Sequence, residues 1–336
     1  MGESFTRGIS TSALGRSVPW AGRTASVPRR MVVNFDEVEP RVIGGEQLRG
    51  TRWRLGATAG AVGAGLSRYR IAAGERAMPV HVHADDEELF YVLDGEGLSW
   101  QDGRTYAVRA GDCILHRPGA EAHTILGAGE GLDVLAFSGG SSTGLTWLPR
   151  ARAWWNGPHW LPHDGPSPFD AEEGAGPLDV PAPEAQRPPT IVALDDVPAQ
   201  DYTGGGDVAA VRRGLTDALA PRRTGVVHLT VAPGALSSPP HCHSAEEEVF
   251  FVLDGDGALL LGEEENPVRA GSVVARPPGT GVGHAFRAGN GGLTLLAFGT
   301  HEPHDIAYYP RSGKVALRGL KARFFITQVE YWDGEA

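Results

Sequence analysis

The stretch HVHADDEELFYVLDGEG (residues 81–97) returns 160 residues later as HCHSAEEEVFFVLDGDG (residues 241–257). A second copy of so particular a pattern signals internal duplication, and the pairing continues outward from it. Val33 to Val38 (VNFDEV) matches Val192 to Val197 (VALDDV), and Ala110-Gly111 and Pro118-Gly119 match Ala270-Gly271 and Pro278-Gly279. Further on, His123 matches His284, Leu135-Ala136-Phe137 matches Leu296-Ala297-Phe298, and Pro149-Arg150 matches Pro310-Arg311. The repeats therefore run over residues 31–150 and 190–336, the second with a C-terminal extension. Residues 1–30 read as a disordered tail and 151–189 as an extended linker rich in Pro and Gly, with Trp154, Trp155 and Trp160 as an anchoring strap behind Trp147.

Within each copy the apolar runs are short, β-branched or aromatic, and closed by turn residues. Asp94-Gly95 and Asp254-Gly255 carry the hairpin-turn signal. In Glu88-Leu-Phe-Tyr-Val-Leu93, strand alternation places Glu88, Phe90 and Val92 on one face and Leu89, Tyr91 and Leu93 on the other. Both faces are apolar, so both must be covered, and two all-β barrels or sandwiches packed together satisfy that demand.

The bulk composition narrows the function. The chain of 336 residues holds 47 Gly and 25 Pro, which favours many turns over long helices, and a net charge of −11 offers no basic patch for nucleic acid. No apolar run approaches a membrane span. Only Cys113 and Cys242 occur, which fits a reducing cytosol better than a disulfide framework and supplies no CxxC zinc motif. A small-molecule partner is the remaining expectation, and homo-oligomerisation stays open.

His81 and His83 lie two apart in an extended segment and so share a face, and Glu88 begins the next strand with a parity that can turn its carboxylate toward them. His123 follows on a later strand. His241, His243, Glu248 and His284 repeat the set. Three imidazoles and one carboxylate suit a divalent transition metal, one per barrel, leaving positions open for a substrate; Fe, Mn, Ni, Cu, Co and Zn are all compatible with these donors. Arg150 and Arg311 could clamp a substrate carboxylate or form structural ion pairs, and His116 could serve as a base beside the site or rest in the core. Ser99 and Gln101 correspond to Leu259 and Leu261, so the pocket walls are expected to differ in polarity.

These residues resemble the motifs of the cupin superfamily, in a two-domain or bicupin arrangement. The first motif is met by Gly74, His81, His83, Glu88 and Gly95, and again by Gly234, His241, His243, Glu248 and Gly255, each with a first gap one residue longer than usual. The second motif is looser: Gly111, Pro118-Gly119 and His123, then Gly271, Pro277-Pro278-Gly279 and His284, with no Asn after either histidine. The resemblance implies a double-stranded β-helix or jelly roll in each copy. It also implies metal-dependent oxidoreductase chemistry, expected to be a dioxygenase acting on a small oxygen-rich organic molecule. The alternatives are a non-redox isomerase or lyase, decarboxylases included, or a binding protein without catalysis. No catalytic side chain beyond the metal ligands is singled out.

Overall fold

The computed structural model describes residues 31–139, 144–156, 159–161 and 168–335. The tail expected over 1–30 and the side chain of Trp160 lie outside the described residues. The architecture is two jelly-roll halves, each built on an eight-stranded antiparallel sheet that rolls up without closing its edges.

In the N-terminal sheet the order is Ile191–Ala193, Asp112–His116, Glu88–Gln101, His123–Ser138, Gly65–Ile71, Arg49–Trp53 and Arg41–Gly44, with Arg104–Arg109 paired onto Glu88–Gln101. The C-terminal sheet repeats it: Val32–Asn34, Ser272–Arg276, Glu248–Leu261, His284–Gly299, Gly225–Val231, Ala209–Arg213 and Ala199–Thr203, with Glu264–Arg269 on Glu248–Leu261. The first strand of each repeat is thus exchanged. Val32 pairs with Val274 in the other half, and Ile191 pairs with Ile114.

The alternation read from the sequence sets three cores. Phe90, Val92, Ile114 and Ile125 fill the interior of the N-terminal roll, and Phe250, Val252, Val274 and Phe286 fill that of the C-terminal roll. The opposite strand faces, with Leu89, Tyr91, Leu135 and Phe137 from one half and Val249, Phe251, Leu296 and Phe298 from the other, bury one another between the halves. Phe137 and Phe298 stack at its centre with ring centroids 4.8 Å apart.

A pair of carboxylates locks this interface. Glu87, fully buried, accepts hydrogen bonds from the backbone N–H groups of Arg222 (2.7 Å), Arg223 (2.8 Å) and Thr224 (3.0 Å) and from Thr224 Oγ1 (2.9 Å). Glu247 accepts from the N–H groups of Val62, Gly63 and Ala64, all at 2.7 Å. Each carboxylate sits in a nest of amides on the opposite half, which is how a buried charge is held without a cation.

Two expectations are corrected. Asp94-Gly95 and Asp254-Gly255 do not turn hairpins; they lie inside the 14-residue strands Glu88–Gln101 and Glu248–Leu261, where the register shifts at a bulge. Gly95 (φ 77°) and Gly255 (φ 83°) supply the left-handed residue, and a side chain at either would strike the backbone carbonyl of Gly131 or Gly292. The stretch after residue 150 is not a plain extended linker. Ala153–Asn156 and His159–Leu161 extend a four-stranded sheet through Leu145–Leu148 to Val82–His83, and Pro168–Gly174 is helical. Trp147 and Trp154 meet in this sheet at 5.0 Å between ring centroids, with Trp154 on the surface. The C-terminal extension forms the same meander, Lys314–Leu317 and Ala322–Phe325 building out from Ile306–Tyr309 and Cys242–His243. The helix is pinned by Glu172, fully buried, whose Oε1 pairs with both Arg76 Nη1 and Arg150 Nε at 2.9 Å. Each H-x-H segment is therefore one strand of a small sheet laid across its half.

Candidate metal centres

Backbone pairing brings the donors together. His81 and His123 exchange N–H···O bonds of 3.1 and 3.0 Å, so their side chains leave the same face, and His241 and His284 do likewise at 3.1 and 2.8 Å. Val82–His83 is tied to Leu145–Leu148, and Cys242–His243 to Ile306–Tyr309. Glu88 and Glu248 enter from the first residue of the long central strand, with the inward parity expected of them.

In the N-terminal half, His81, His83, Glu88 and His123 each offer a donor atom within 4.8 Å of all the others. Glu88 Oε2 lies 3.1 Å from His81 Nε2, 3.1 Å from His123 Nε2 and 3.5 Å from His83 Nε2. In the C-terminal half, His241, His243 and Glu248 meet the same criterion. His284 joins through Glu248, Nε2 to Oε2 at 3.0 Å, and stands outside the mutual set of three. All eight residues singled out in the sequence are therefore gathered, four to a half, with the second set looser.

The hydrogen bonds decide which nitrogens face inward as lone pairs. His81 Nδ1 sits 2.9 Å from Pro79 O, His123 Nδ1 3.1 Å from Glu121 O, and His241 Nδ1 2.9 Å from Pro239 O. A carbonyl only accepts, so Nδ1 carries a proton in each of these rings. Burial lowers His123 to about 3 and His284 to about 4, and also lowers His241, which keeps these rings neutral near pH 7. The facing carboxylates stay ionised: burial opposes this, yet the histidines around Glu88 and Glu248 hold both well below the usual range. Three imidazole Nε2 atoms thus face one carboxylate oxygen in the N-terminal half. His83 Nε2, His243 Nε2, His284 Nε2 and Glu248 Oε2 are in addition buried with no hydrogen-bond partner. Orphaned, convergent donors of this kind fit a divalent transition metal, and each half has a donor set able to hold one.

The surroundings differ between the halves. His83 Nδ1 meets the Thr146 hydroxyl at 3.2 Å, whereas His243 Nδ1 donates to Asp305 Oδ2 at 2.7 Å. Burial works against a charge on His243, but Asp305 and Glu248 outweigh it and push the ring up to about 9. Asp305 is itself fixed by the N–H groups of Ala245 (3.0 Å) and Glu246 (3.1 Å), and Arg318 closes over Glu246. Opposite Glu88 stands His116, which stacks on His123 at 3.7 Å and donates through Nδ1 to Glu121 Oε1 at 2.8 Å; burial lowers it to about 3. Opposite Glu248 stands Arg276, buried and donating to Thr280 Oγ1 and Val282 O. Gln101, paired across the ladder with His123, bonds to Ser99, while Leu261 pairs with His284.

Other residues flagged in the sequence have structural roles. Arg150 holds the buried Glu172, and Arg311 makes an exposed 3.4 Å pair with Asp207, the ion pairing expected as the alternative to a substrate clamp. Cys113 is in the interface core and Cys242 is buried opposite Tyr308. The sequence reading missed Asp305, which lies 62 residues from His243 and has no acidic counterpart in the first repeat. It also missed Arg52 and Arg212, matched at the same offset of 160 as the H-x-H segments; that match was the available signal.

The family model of the cupin domain matches twice, over residues 67–137 and 227–298, each match spanning H-x-H, the glutamate and the third histidine. A comparison with curated proteins by sequence finds no match. Among solved structures, oxalate decarboxylase from Bacillus subtilis at pH 4.6 superposes with a TM-score of 0.56 at 17% identity, covering 81% of this chain and 76% of that one. A Bacillus subtilis oxalate decarboxylase studied for its Mn(II) centres gives 0.56 at 17%, covering 83% and 79%. An oxalate decarboxylase described with its substrate binding mode gives 0.57 at 17%, again covering 83% and 79%. At such identity these likenesses speak for the fold. Two domain matches, two jelly rolls in tandem and two inward histidine and glutamate sets agree, and the chain carries two tandem cupin domains.

Proposed function

We propose that this chain is a metal-dependent enzyme acting on a small organic acid by non-redox lyase chemistry, decarboxylation being the model case. In this reading His81, His83, Glu88 and His123 hold one divalent ion, and His241, His243, Glu248 and His284 hold another. The observation that carries it is the convergence of histidine Nε2 atoms on one carboxylate oxygen in both halves, a geometry that a purely structural strand face would not retain twice. Support for a lyase over the dioxygenase expected from the sequence comes from the fold neighbours, which are decarboxylases.

A bound divalent ion would act as a Lewis acid, drawing electron density from the oxygens of an acid substrate. The protein's own residues do the rest. The carbonyls of Pro79, Glu121 and Pro239 fix the tautomer and aim Nε2 inward. Glu121 keeps the His116 proton on Nδ1, which leaves His116 Nε2 as a hydrogen-bond acceptor beside His123. The apolar interiors exclude bulk water and strengthen every charge interaction within the roll.

The test is to load the full chain with Mn, Fe, Co, Ni, Cu or Zn and follow CO2 release and O2 uptake with a panel of small acids, in air and under argon. Conversion that proceeds unchanged under argon is expected. Stoichiometric O2 consumption would restore the dioxygenase reading, and a chain that binds none of these metals would remove the enzyme reading altogether.

A further inference from the structure

We propose that Arg212 receives the acid group of the substrate of the C-terminal centre, and that this substrate is a carboxylate with an apolar body, larger than a two-carbon acid. The proposal rests on the metal-centre reading above. A cavity of about 190 Å³ lies inside the C-terminal roll, with His241, Glu248, His284 and Arg212 among its walls. Much of the remaining wall is apolar, supplied by Val227, Leu229, Phe250 and Phe286.

The contrast with the first repeat makes Arg212 more than a surface cation. Arg52 occupies the matching register, opposite Tyr69 as Arg212 is opposite Leu229. There the Nε/Nη2 edge is engaged by its own half: Nε and Nη2 both donate to Ser67 Oγ, at 3.2 and 3.1 Å, and the group lies over the Tyr69 ring at 5.4 Å. In the second repeat Val227 and Leu229 stand where Ser67 and Tyr69 would be, 160 residues on. The arginine is kept while its partners have become aliphatic.

Arg212 Nη1 donates to Asp217 Oδ2 at 2.9 Å and to Gln200 Oε1 at 3.2 Å. Its Nε and Nη2 have no protein acceptor among the described residues, although the side chain is only 26% exposed. That unfilled edge is the fork a carboxylate engages in two parallel bonds. A ligand chelated at the histidine end and bound at this edge must cross an apolar space between two polar ends. Oxalate has no such middle.

Calorimetric titration of the metal-replete full chain with glutarate, valerate and oxalate tests this, because glutarate and valerate share five carbons and differ by one distal carboxylate. Glutarate is expected to bind at least about tenfold tighter than valerate and tighter than oxalate. Arg212→Gln should abolish the preference over valerate while metal content stays as in the wild type. Arg212→Lys should recover part of it, and Arg52→Gln should leave it intact. Equal binding of glutarate and valerate in metal-replete protein, or a preference that survives Arg212→Gln, overturns the assignment and leaves the metal-centre reading standing. Tighter binding of oxalate overturns the apolar body. A chain that takes up no metal overturns the parent reading and this one with it.

Discussion

The two centres aim equivalent imidazoles at equivalent glutamates, yet they hold one of those imidazoles by different means. His83 leans on a neutral hydroxyl across the ladder, Thr146, whereas the corresponding position opposite His243 is Ala307, and Asp305 reaches in instead. A carboxylate behind a ligating histidine makes the ring more basic and fixes its orientation, so the C-terminal half is expected to hold an ion more tightly although its donor set is the looser. On the other side of the glutamate the contrast runs the opposite way: the N-terminal half has a neutral His116 and a polar Gln101, the C-terminal half a buried cation, Arg276, and an aliphatic Leu261. Duplication has preserved the donors and let their environment drift.

The strongest way to break this comparison is to remove one ligand at a time. His83→Ala and His243→Ala are each expected to lose one of two bound ions, measured by elemental analysis of untagged protein. Chelating both ions should lower the melting temperature while the β-rich circular dichroism spectrum persists, because each roll has its own apolar core. Loss of both ions from a single substitution, or unfolding on chelation, would mean that the two centres are not separate sites on independent scaffolds.

A second test asks whether the halves are coupled equally. Glu87→Ala strands three N–H groups and the Thr224 hydroxyl, and Glu247→Ala strands three N–H groups, so each is expected to cost about 3 kcal/mol by denaturant unfolding. The unfolding curve should stay a single transition. Two resolved transitions would show that one latch matters far more than the other.

The smallest effect sharpens the comparison most. Asp305→Asn should weaken metal binding at the C-terminal centre by about tenfold to a hundredfold. Thr146→Val should weaken the N-terminal centre by less than about threefold, since a neutral hydroxyl adds only a modest hydrogen bond. Competition titration with a chromogenic chelator reads both. Equal losses would remove the asymmetry.

Much of this was legible in the chain itself, for a physical reason. Strand alternation is local, so the inward parity of Glu88 and the two-sided burial of Leu89 to Val92 follow from period two alone, and the second copy removes the ambiguity of a single H-x-H. What stayed hidden depends on long-range geometry. The repeat VNFDEV and VALDDV was visible, but nothing local tells that Val32 pairs with Val274 rather than within its own half. Asp94-Gly95 carries the same positive-φ signal for a bulge as for a turn, and only the contact with Gly131 selects the bulge. Arg150 and Arg311 drew attention because they follow proline; Arg52 and Arg212 lie in unremarkable strands and matter through what faces them.

The exchange of first strands has an evolutionary consequence. Alone, one repeat would leave the edge at Cys113 and Ile114 without its neighbour and would complete it by taking the same strand from a second copy, which describes a two-fold dimer. The fused chain keeps that dimer's geometry and loses its constraint. In a homodimer every substitution appears in both sites at once; after fusion an alanine can replace a threonine, or two aliphatics an arginine's partners, in one site while its twin is untouched. The covalent joining of the copies is what made two different centres on one fold attainable.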